Sequence, residues 1–519
     1  MLHLLPSGLL GFGQGAAFLG ICLTSYWIIP FLHGLTISST RNVPGPFLAR
    51  FTRWYEYFAL LRGKSHVEYM QLHDKFGAVL RIGPNRYSFS DPSDVKIIYE
   101  LGSKFTKTEY YHPLLAPNPD DQNIFAIRDP AFHKMRRRKI ANLYSMSTIV
   151  SYEGAVDRMN KICMDKLKKY AIEDRELSLP DFLQWYAFDV IGDITVGSDI
   201  HAAYLQDLPD QFNESFRMME NEGDVTGMIS GVHMANNYLA HAGIIPDVHP
   251  WVMRLQSLIG NKGAAMFLDF TFRQINKYRA SNTKDTVTVG SDSFLGKLIY
   301  LQKEGKVSMS NILDACGSNI GAGSDTTAIG LSSIIYYLYN NADVLAKLRE
   351  EIDKMAQQGL ISDPITFQEA QSMPYLQAVI KESLRLHPAV GTILPRKVPE
   401  GGATLAGTFF PEGTDVGANA WVLHYSKDIY GDDAASYKPE RWLEPKGTND
   451  LRETMMFAFG AGSRACIGKN ISLLEMTKLL PQIVRKFDFV FDNSSPPETY
   501  CAWFVYLKYN VQVKVRAIS

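Results

Sequence analysis

The chain has 519 residues, 46% apolar and 12% aromatic, which is enough material for a large buried core. Lys and Arg number 53 against 54 Asp and Glu, so no global basic field exists to hold nucleic acid. Five scattered cysteines (Cys22, Cys163, Cys316, Cys466 and Cys501) lack paired spacing, which argues against a disulfide framework or a zinc site and fits reduced thiols facing the cytosol.

No Lys, Arg, Asp or Glu occurs from Met1 to Thr40. The apolar stretch from about Leu9 to Leu32 is long enough for a bilayer-spanning helix, which needs roughly 20 residues. Tyr26 and Trp27 suit an interface. A cleaved signal peptide is the rival. It fits less well, because no basic segment precedes the run and because the run exceeds the usual ~7–15 residues. Positive charge begins at Arg41 and continues with Arg50 and Arg53, which puts the body on the cytoplasmic side. The sequons at Asn213, Asn470 and Asn493 would then never meet the glycosylation machinery. Pro44-Gly45-Pro46 follows, read either as a stiff hinge or as an ordinary loop.

Residues 1–40 are thus an anchor and linker, and residues 41–519 one large mixed domain, helix-rich with small sheets. No internal repeat or low-complexity tract occurs. β-like runs lie near Ala78–Ile82, Arg86–Phe89, Ala403–Phe410 and Val511–Val515. His133-Lys134-Met135-Arg136-Arg137-Arg138-Lys139 is a basic run of the kind that usually forms a solvated helix face. Long amphipathic stretches fill about 150–360, interrupted by a polar, turn-rich segment at 279–294.

A long apolar helix is expected from about Asn311 to Asn340. Midway in it stands Ala322-Gly323-Ser324-Asp325-Thr326-Thr327, which lowers helix propensity. Thr hydroxyls bond back to the preceding turn and open a helix. The segment reads as a packing notch or as an oxygen groove. In the groove reading, Asp325 relays protons and the Thr326 hydroxyl donates toward dioxygen. A further helix, opened by Pro374 and ended by His387-Pro388, carries Glu382 and Arg385 on one face. By itself that pair is an ordinary surface ion pair. Pro439-Glu440-Arg441-Trp442 follows.

The segment from Phe457 to Gly468 (FAFGAGSRACIG) carries the most chemistry. A lone Cys beside glycines reads equally as a small core residue or as a thiolate ligand. A haem-ligating thiolate needs backbone N–H groups aimed at sulfur and small residues beside a flat macrocycle, as Gly462 and Gly468 supply. It also needs a cation for a propionate, a role open to Arg464, and a shield for the sulfur, a role open to Phe459. The helix-like run Asn470–Leu480 puts Cys466 near a helix N-terminus, where negative charge is favoured.

The spacing F-x-x-G-x-R-x-C-x-G resembles the haem-ligand loop of the cytochrome P-450 superfamily. The other motifs, in order over roughly residues 40–515, agree with it. The resemblance implies a mainly α cytochrome P-450 fold with small β-sheets and an N-terminal transmembrane helix. It implies haem b, with Cys466 on the iron. Arg464, Arg396 and Arg137 are implied at the propionates, together with His133, where the family often has Trp. Asp325 and Thr326 are implied as the acid–alcohol pair. Glu382, Arg385 and Arg441 form the implied structural triad; Trp442 stands where the family commonly has Phe. The remaining cations of the basic run, with Lys469, would dock an acidic electron donor. That donor is NADPH–cytochrome P-450 reductase, with cytochrome b5 as a second partner, and NADPH acts indirectly through it. Phe188-Asp189-Val190-Ile191-Gly192-Asp193 is similar to filamentous-fungal members, including the pisatin-demethylase-like branch.

The implied activity is insertion of one oxygen atom from O2 into a small lipophilic substrate, in fungal secondary metabolism, at the endoplasmic reticulum membrane. The pocket is expected from Tyr110–Ile127, Ile320, Val390–Leu394 and Trp503-Phe504. Hydroxylation, epoxidation, demethylation and ring coupling are not separated by these residues. Two rivals are a haem-thiolate isomerase or peroxygenase that needs no reductase, and a non-catalytic haem sensor or carrier. Neither uses an acid–alcohol groove.

Overall fold

The computed structural model describes residues 39–115, 122–197, 218–223, 227–259, 272–273, 275–276, 293–445, 447, 450–492 and 496–516. The expected membrane anchor, most of the 279–294 segment and the sequons at Asn213 and Asn493 lie outside them. Among the described residues no helix is long and apolar enough to cross a membrane.

The chain enters at the Pro44-Gly45-Pro46 hinge, which is fastened to the body. Pro44 O accepts the Arg81 N–H at 2.8 Å, and a Cβ on Gly45 would stand 2.3 Å from Arg81 O. The buried Arg81 guanidinium reaches back to Thr40 O at 2.7 Å.

A central helix, Met309–Tyr339, runs through the body. Its start is fixed by a reciprocal cap: Ser308 Oγ accepts the Asn311 N–H and Asn311 Oδ1 accepts the Ser308 N–H, both at 3.2 Å. The low-propensity segment stays helical because its flanks are buried, from Ile312 and Ile320 to Ile334 and Leu338. Helix Leu179–Val196 lies against it. Helices Glu153–Glu173, Pro374–Leu386 and Lys469–Lys486 complete the core. Leu167, Leu183, Leu331, Val379 and Leu480 are fully buried there. Each such side chain contributes about 1.5–3 kcal/mol. The Pro374–Leu386 helix takes its cap from a distance: the Glu351 carboxylate accepts the N–H groups of Tyr375 and Leu376 at 2.8 and 2.9 Å.

The largest sheet joins five short strands in the order β1-β2-β8-β5-β3: Val79–Gly83 (β1), Arg86–Phe89 (β2), Thr106–Lys107 (β3), Arg396–Lys397 (β5) and Asp415–Gly417 (β8). β2 and β8 are parallel; the other neighbours are antiparallel. Glu176–Ser178 (β4), Phe487–Phe491 (β9) and Asn510–Val515 (β12) form a second sheet. The expected run Ala403–Phe410 is a hairpin, Ala403–Leu405 (β6) and Thr408–Phe410 (β7), folded at Ala406 and Gly407 with φ of 46° and 70°. A last hairpin, Glu498–Cys501 (β10) and Val505–Lys508 (β11), reaches toward the central helix.

Candidate active site

The triad expected from the motifs is assembled and buried. Glu382 Oε1 accepts from Arg385 Nη2 at 2.7 Å, Arg441 Nε at 2.9 Å and the Lys438 N–H at 3.0 Å. Glu382 Oε2 accepts from Arg385 Nε at 2.8 Å and from the Trp442 indole N–H at 2.9 Å. The ordinary surface-pair reading is excluded, because the Glu382 and Arg385 side chains are fully enclosed. Trp442, a departure from the expected Phe, supplies one of the five hydrogen bonds. With every lone pair engaged, the desolvation cost of the buried charges is offset.

His424, a residue that sequence reasoning missed, ties this cluster to the cysteine loop. Its Nε2 accepts the Phe457 N–H at 2.8 Å, so the proton sits on Nδ1 and donates to Arg385 O at 2.8 Å. Burial holds its pKa down to about 3. The loop then turns at Gly462, whose φ is +63° and where a Cβ would lie 1.8 Å from Tyr99 O, so only Gly fits. The Cys466 N–H closes the turn on Phe459 O at 2.9 Å.

Cys466 lies deep in the fold yet is solvent-accessible, as a residue on the wall of an internal recess is. Burial raises its thiol pKa. The backbone N–H groups of Gly468 and Lys469 and the Arg137 guanidinium oppose this by favouring the thiolate. The other described cysteines, Cys163, Cys316 and Cys501, are buried.

Five basic side chains converge beside this loop: Lys107, His133, Arg137, Arg396 and Arg464. Arg137 is fixed to Ala465 O at 2.9 Å, Arg464 to Ile127 O at 2.7 Å and Arg396 to Pro395 O at 2.9 Å. Lys107 and Arg396 stand directly opposite each other in the β3–β5 pair. Like charges in that register repel. Burial, then Arg464, Arg137, Lys107 and Arg396, push His133 down to about 3. Burial and Arg396 bring even Arg464 to about 10. Asp129, the acidic group acting on Arg464, is occupied in capping Phe132. Lys107, also missed from sequence, is buried with its ammonium over the rings of Phe125 and Tyr111 at 3.7 and 4.1 Å; its pKa is driven well down by burial, then by Arg396 and Arg464. A cation cluster of this kind asks for an anionic ligand. Haem fits: its propionates would meet these cations and its iron the Cys466 sulfur.

On the central helix the two readings of the notch divide between residues. Gly323 is the packing contact, since a Cβ there would stand 2.9 Å from Ile191 Cγ1. The Thr326 hydroxyl instead bonds back to Ala322 O at 2.9 Å, on a face where Ala322 is exposed and Thr326 half-exposed. The adjacent Asp325 is fully buried and accepts from Asn236 Nδ2 at 3.0 Å, Tyr506 OH at 2.8 Å and the Gln184 amide.

The expected pocket segments do meet. Gly391 N bonds Trp503 O at 3.0 Å, and Val390 bridges Phe504. Tyr110, Tyr111, Phe125 and Trp503 form an aromatic cluster with centroids 5.4–6.4 Å apart. Residues 116–121 of this segment lie outside the described residues.

Comparisons with known proteins agree with this geometry. The family model for cytochrome P-450 matches residues 44–515. The chain is 42% identical over 502 residues to a pisatin demethylase of Fusarium vanettenii, covering 96% of this chain and 94% of that one. It is 32% identical over 506 residues to cytochrome P-450 monooxygenase gsfF of Penicillium aethiopicum, covering 95% and 97%. Identity to a cytochrome P-450 monooxygenase of Aspergillus terreus is 33% over 464 residues, covering 86% and 90%.

Proposed function

This chain belongs to the cytochrome P-450 family, and on that premise we propose that it is a membrane-anchored haem-thiolate monooxygenase acting on a small lipophilic fungal secondary metabolite. The observation that carries the reading is the recess at Cys466, walled by a thiol whose N–H neighbours favour the thiolate and by five basic groups without a matching set of acids among the described residues. When bound, haem b supplies the oxidation of carbon by O2. The chain supplies the rest. Cys466 is its iron ligand, Phe459 lies beside the sulfur, and Gly468 keeps the loop close. His133, Arg137, Arg396, Arg464 and Lys107 hold the propionates. Thr326 offers a hydroxyl and the adjacent Asp325 a carboxylate, both serving the steps in which protons are consumed.

NADPH enters through a reductase. Lys134, Arg138, Lys139 and Lys469 are exposed around the Cys466 loop and make a basic face for an acidic donor protein, reductase or cytochrome b5. The aromatic cluster of Tyr110, Tyr111, Phe125 and Trp503 suits a lipophilic substrate.

Attachment to the endoplasmic reticulum membrane, with the catalytic body cytoplasmic, is supported by exposed apolar side chains beside the entering chain. Phe47, Leu48, Trp54, Phe58 and Leu61 are exposed, and so are Trp251, Met253 and Leu255 on a second segment. The two segments are joined by Arg53–Asp247 at 3.5 Å and by Tyr57 on His241 with ring centroids 5.1 Å apart. Such a patch binds an interface.

The peroxide-driven alternative has no use for the hydrogen-bonded Asp325. The test compares wild type and Cys466→Ala, reconstituted with reductase and NADPH or with peroxide alone. The expected result is NADPH-dependent product from wild type, and loss of both product and the thiolate-type spectrum of the reduced carbon monoxide complex in the variant. A retained spectrum in Cys466→Ala overturns the ligand assignment.

A further inference from the structure

Asp325 is fully enclosed, so a proton that it gives toward Thr326 must be replaced from somewhere. Consecutive helix residues point about 100° apart, and the two side chains have different surroundings: Thr326 is half-exposed and Asp325 fully buried. Among the described residues, four groups surround the Asp325 carboxylate. The Gln184 and Asn236 amides do not titrate. Burial, then Asp325 itself, holds the Tyr506 phenol far above its ordinary range, so it stays a donor. The fourth group is His233, whose Nε2 lies 3.4 Å from Asp325 Oδ1 and whose ring stacks obliquely on Tyr506 at 4.7 Å.

His233 differs from the other three in two ways. It carries an imidazole, the side chain whose unperturbed charge change lies nearest neutral pH. Its side chain is also 39% exposed, against 0% for Asp325. It opens on a cleft of about 330 Å³ between helix Leu179–Val196, helix Met228–Ile244, the central helix and the β10–β11 hairpin. The titratable and charged groups lining that cleft, among the described residues, are Asp181, Tyr500, Tyr506 and Lys508 besides His233 itself; Asp325 lies enclosed behind Tyr506 and His233.

We propose that His233 is the proton entry to Asp325, linking the cleft on one side of the central helix to the recess on the other. In the step, the Nε2–H bond of the imidazolium breaks and its electron pair stays on Nε2. The proton forms an O–H bond on Asp325 Oδ1, leaving a neutral acid and a neutral imidazole. Nε2 is itself enclosed, so the ring must turn it toward the cleft before water carrying a proton there restores the imidazolium. His233 touches neither substrate nor cofactor, so it is a positioning and supply residue acting through Asp325. The inference rests on the monooxygenase reading, because only that chemistry draws protons through Asp325.

The test uses the full-length haem-loaded protein in nanodiscs with reductase, and compares wild type, His233→Gln and Asp325→Asn. His233→Gln keeps a donor near Asp325 but does not titrate. Product formation should fall about tenfold, the solvent deuterium isotope effect should rise, and the inflection of rate with pH should disappear. Substrate-binding and reduced carbon monoxide spectra should stay as in wild type. A readout independent of turnover is exchange at the His233 ring C2–H, followed by mass spectrometry against pH. Its inflection should fall by about one pH unit in Asp325→Asn, because the opposite charge that favours imidazolium is gone. Wild-type rate and pH profile in His233→Gln, or an unmoved exchange inflection in Asp325→Asn, overturns the proposal. A wild type that makes product from peroxide but none with NADPH and reductase overturns the monooxygenase reading instead.

Discussion

Arg385 and His424 grip each other reciprocally: an Arg385 Nη donates to the His424 carbonyl at 2.6 Å, and His424 Nδ1–H donates to the Arg385 carbonyl at 2.8 Å. His424 Nε2 then accepts the Phe457 N–H. One imidazole therefore carries the position of the Glu382–Arg385–Arg441 cluster into the strand of chain that leads to Cys466. The triad is remote from the recess in sequence and in contact, and this bridge gives it a mechanical route to the ligand loop.

His424→Ala should leave two buried backbone groups unpaired, at about 1–3 kcal/mol each. Thermal stability and haem retention should both fall. The acid response carries a sign. Burial holds the folded-state pKa near 3, below the unfolded value of 6.5. Between those values the unfolded chain binds the extra proton, so stability is lost as pH falls through the window. His66, His73 and His387, held down to about 3, 4 and 4 by burial, act in the same direction. Melting temperature against pH should show a flatter acid limb in His424→Gln than in wild type. An identical limb would disprove the neutral-bridge assignment.

Lys107 pays for haem binding with strain in the haem-free chain. It lies buried opposite Arg396, in an aromatic cage, donating to Phe125 O and without a carboxylate partner among the described residues. Lys107→Met should therefore raise the melting temperature of apoprotein while speeding haem release to apomyoglobin. If release is unchanged, the ammonium does not face a propionate.

Glu475, in the Lys469–Lys486 helix, is fully buried and neither carboxylate oxygen has a hydrogen-bond partner among the described residues. Burial raises its pKa well above the ordinary range, so the folded chain keeps a proton that the unfolded chain releases above about 4.5. Stability therefore declines as pH rises through that window. Glu475→Met, close in volume, should gain about 1–3 kcal/mol at pH 8, with the gain shrinking toward pH 5. Chemical denaturation at the two pH values measures it.

What the sequence disclosed was what local spacing carries. Glu382 and Arg385 share a helix face, Cys466 sits among glycines in a ten-residue pattern, and the central helix expected over Asn311–Asn340 runs Met309–Tyr339. What it hid were contacts between distant segments. Lys107 meets Arg396 through strands of two residues each, too short for any alternation to show. His424 is a solitary histidine whose two partners come from the Arg385 helix and the cysteine loop. The partners of Asp325 come from three separate elements, which local spacing does not disclose. The β-like run Ala403–Phe410 is a hairpin, and its two-residue turn at Ala406-Gly407 leaves the apolar count almost unchanged.

Thr326→Ala should separate NADPH use from product formation. The basic face of Lys134, Arg138, Lys139 and Lys469 proposed for electron delivery does not include Thr326. Folding should be nearly untouched, because the hydroxyl bonds only to Ala322 O of its own helix, and removing that back-bond does not lower helix propensity. Without the hydroxyl, a proton arriving at Asp325 loses its route onward at the moment it is needed. Reduced oxygen then leaves as hydrogen peroxide. NADPH oxidation should continue, peroxide should rise, and product per NADPH should fall about tenfold or more. Asp325→Asn should behave differently and slow NADPH oxidation itself, because the store of protons is gone. Thr327 offers no substitute: it is buried and bonded to Ser472 Oγ at 2.9 Å. NADPH, peroxide and product counted in one reconstituted reaction decide the matter. Unchanged coupling in Thr326→Ala would return the whole segment to a packing role, with Gly323 against Ile191 as its reason for being.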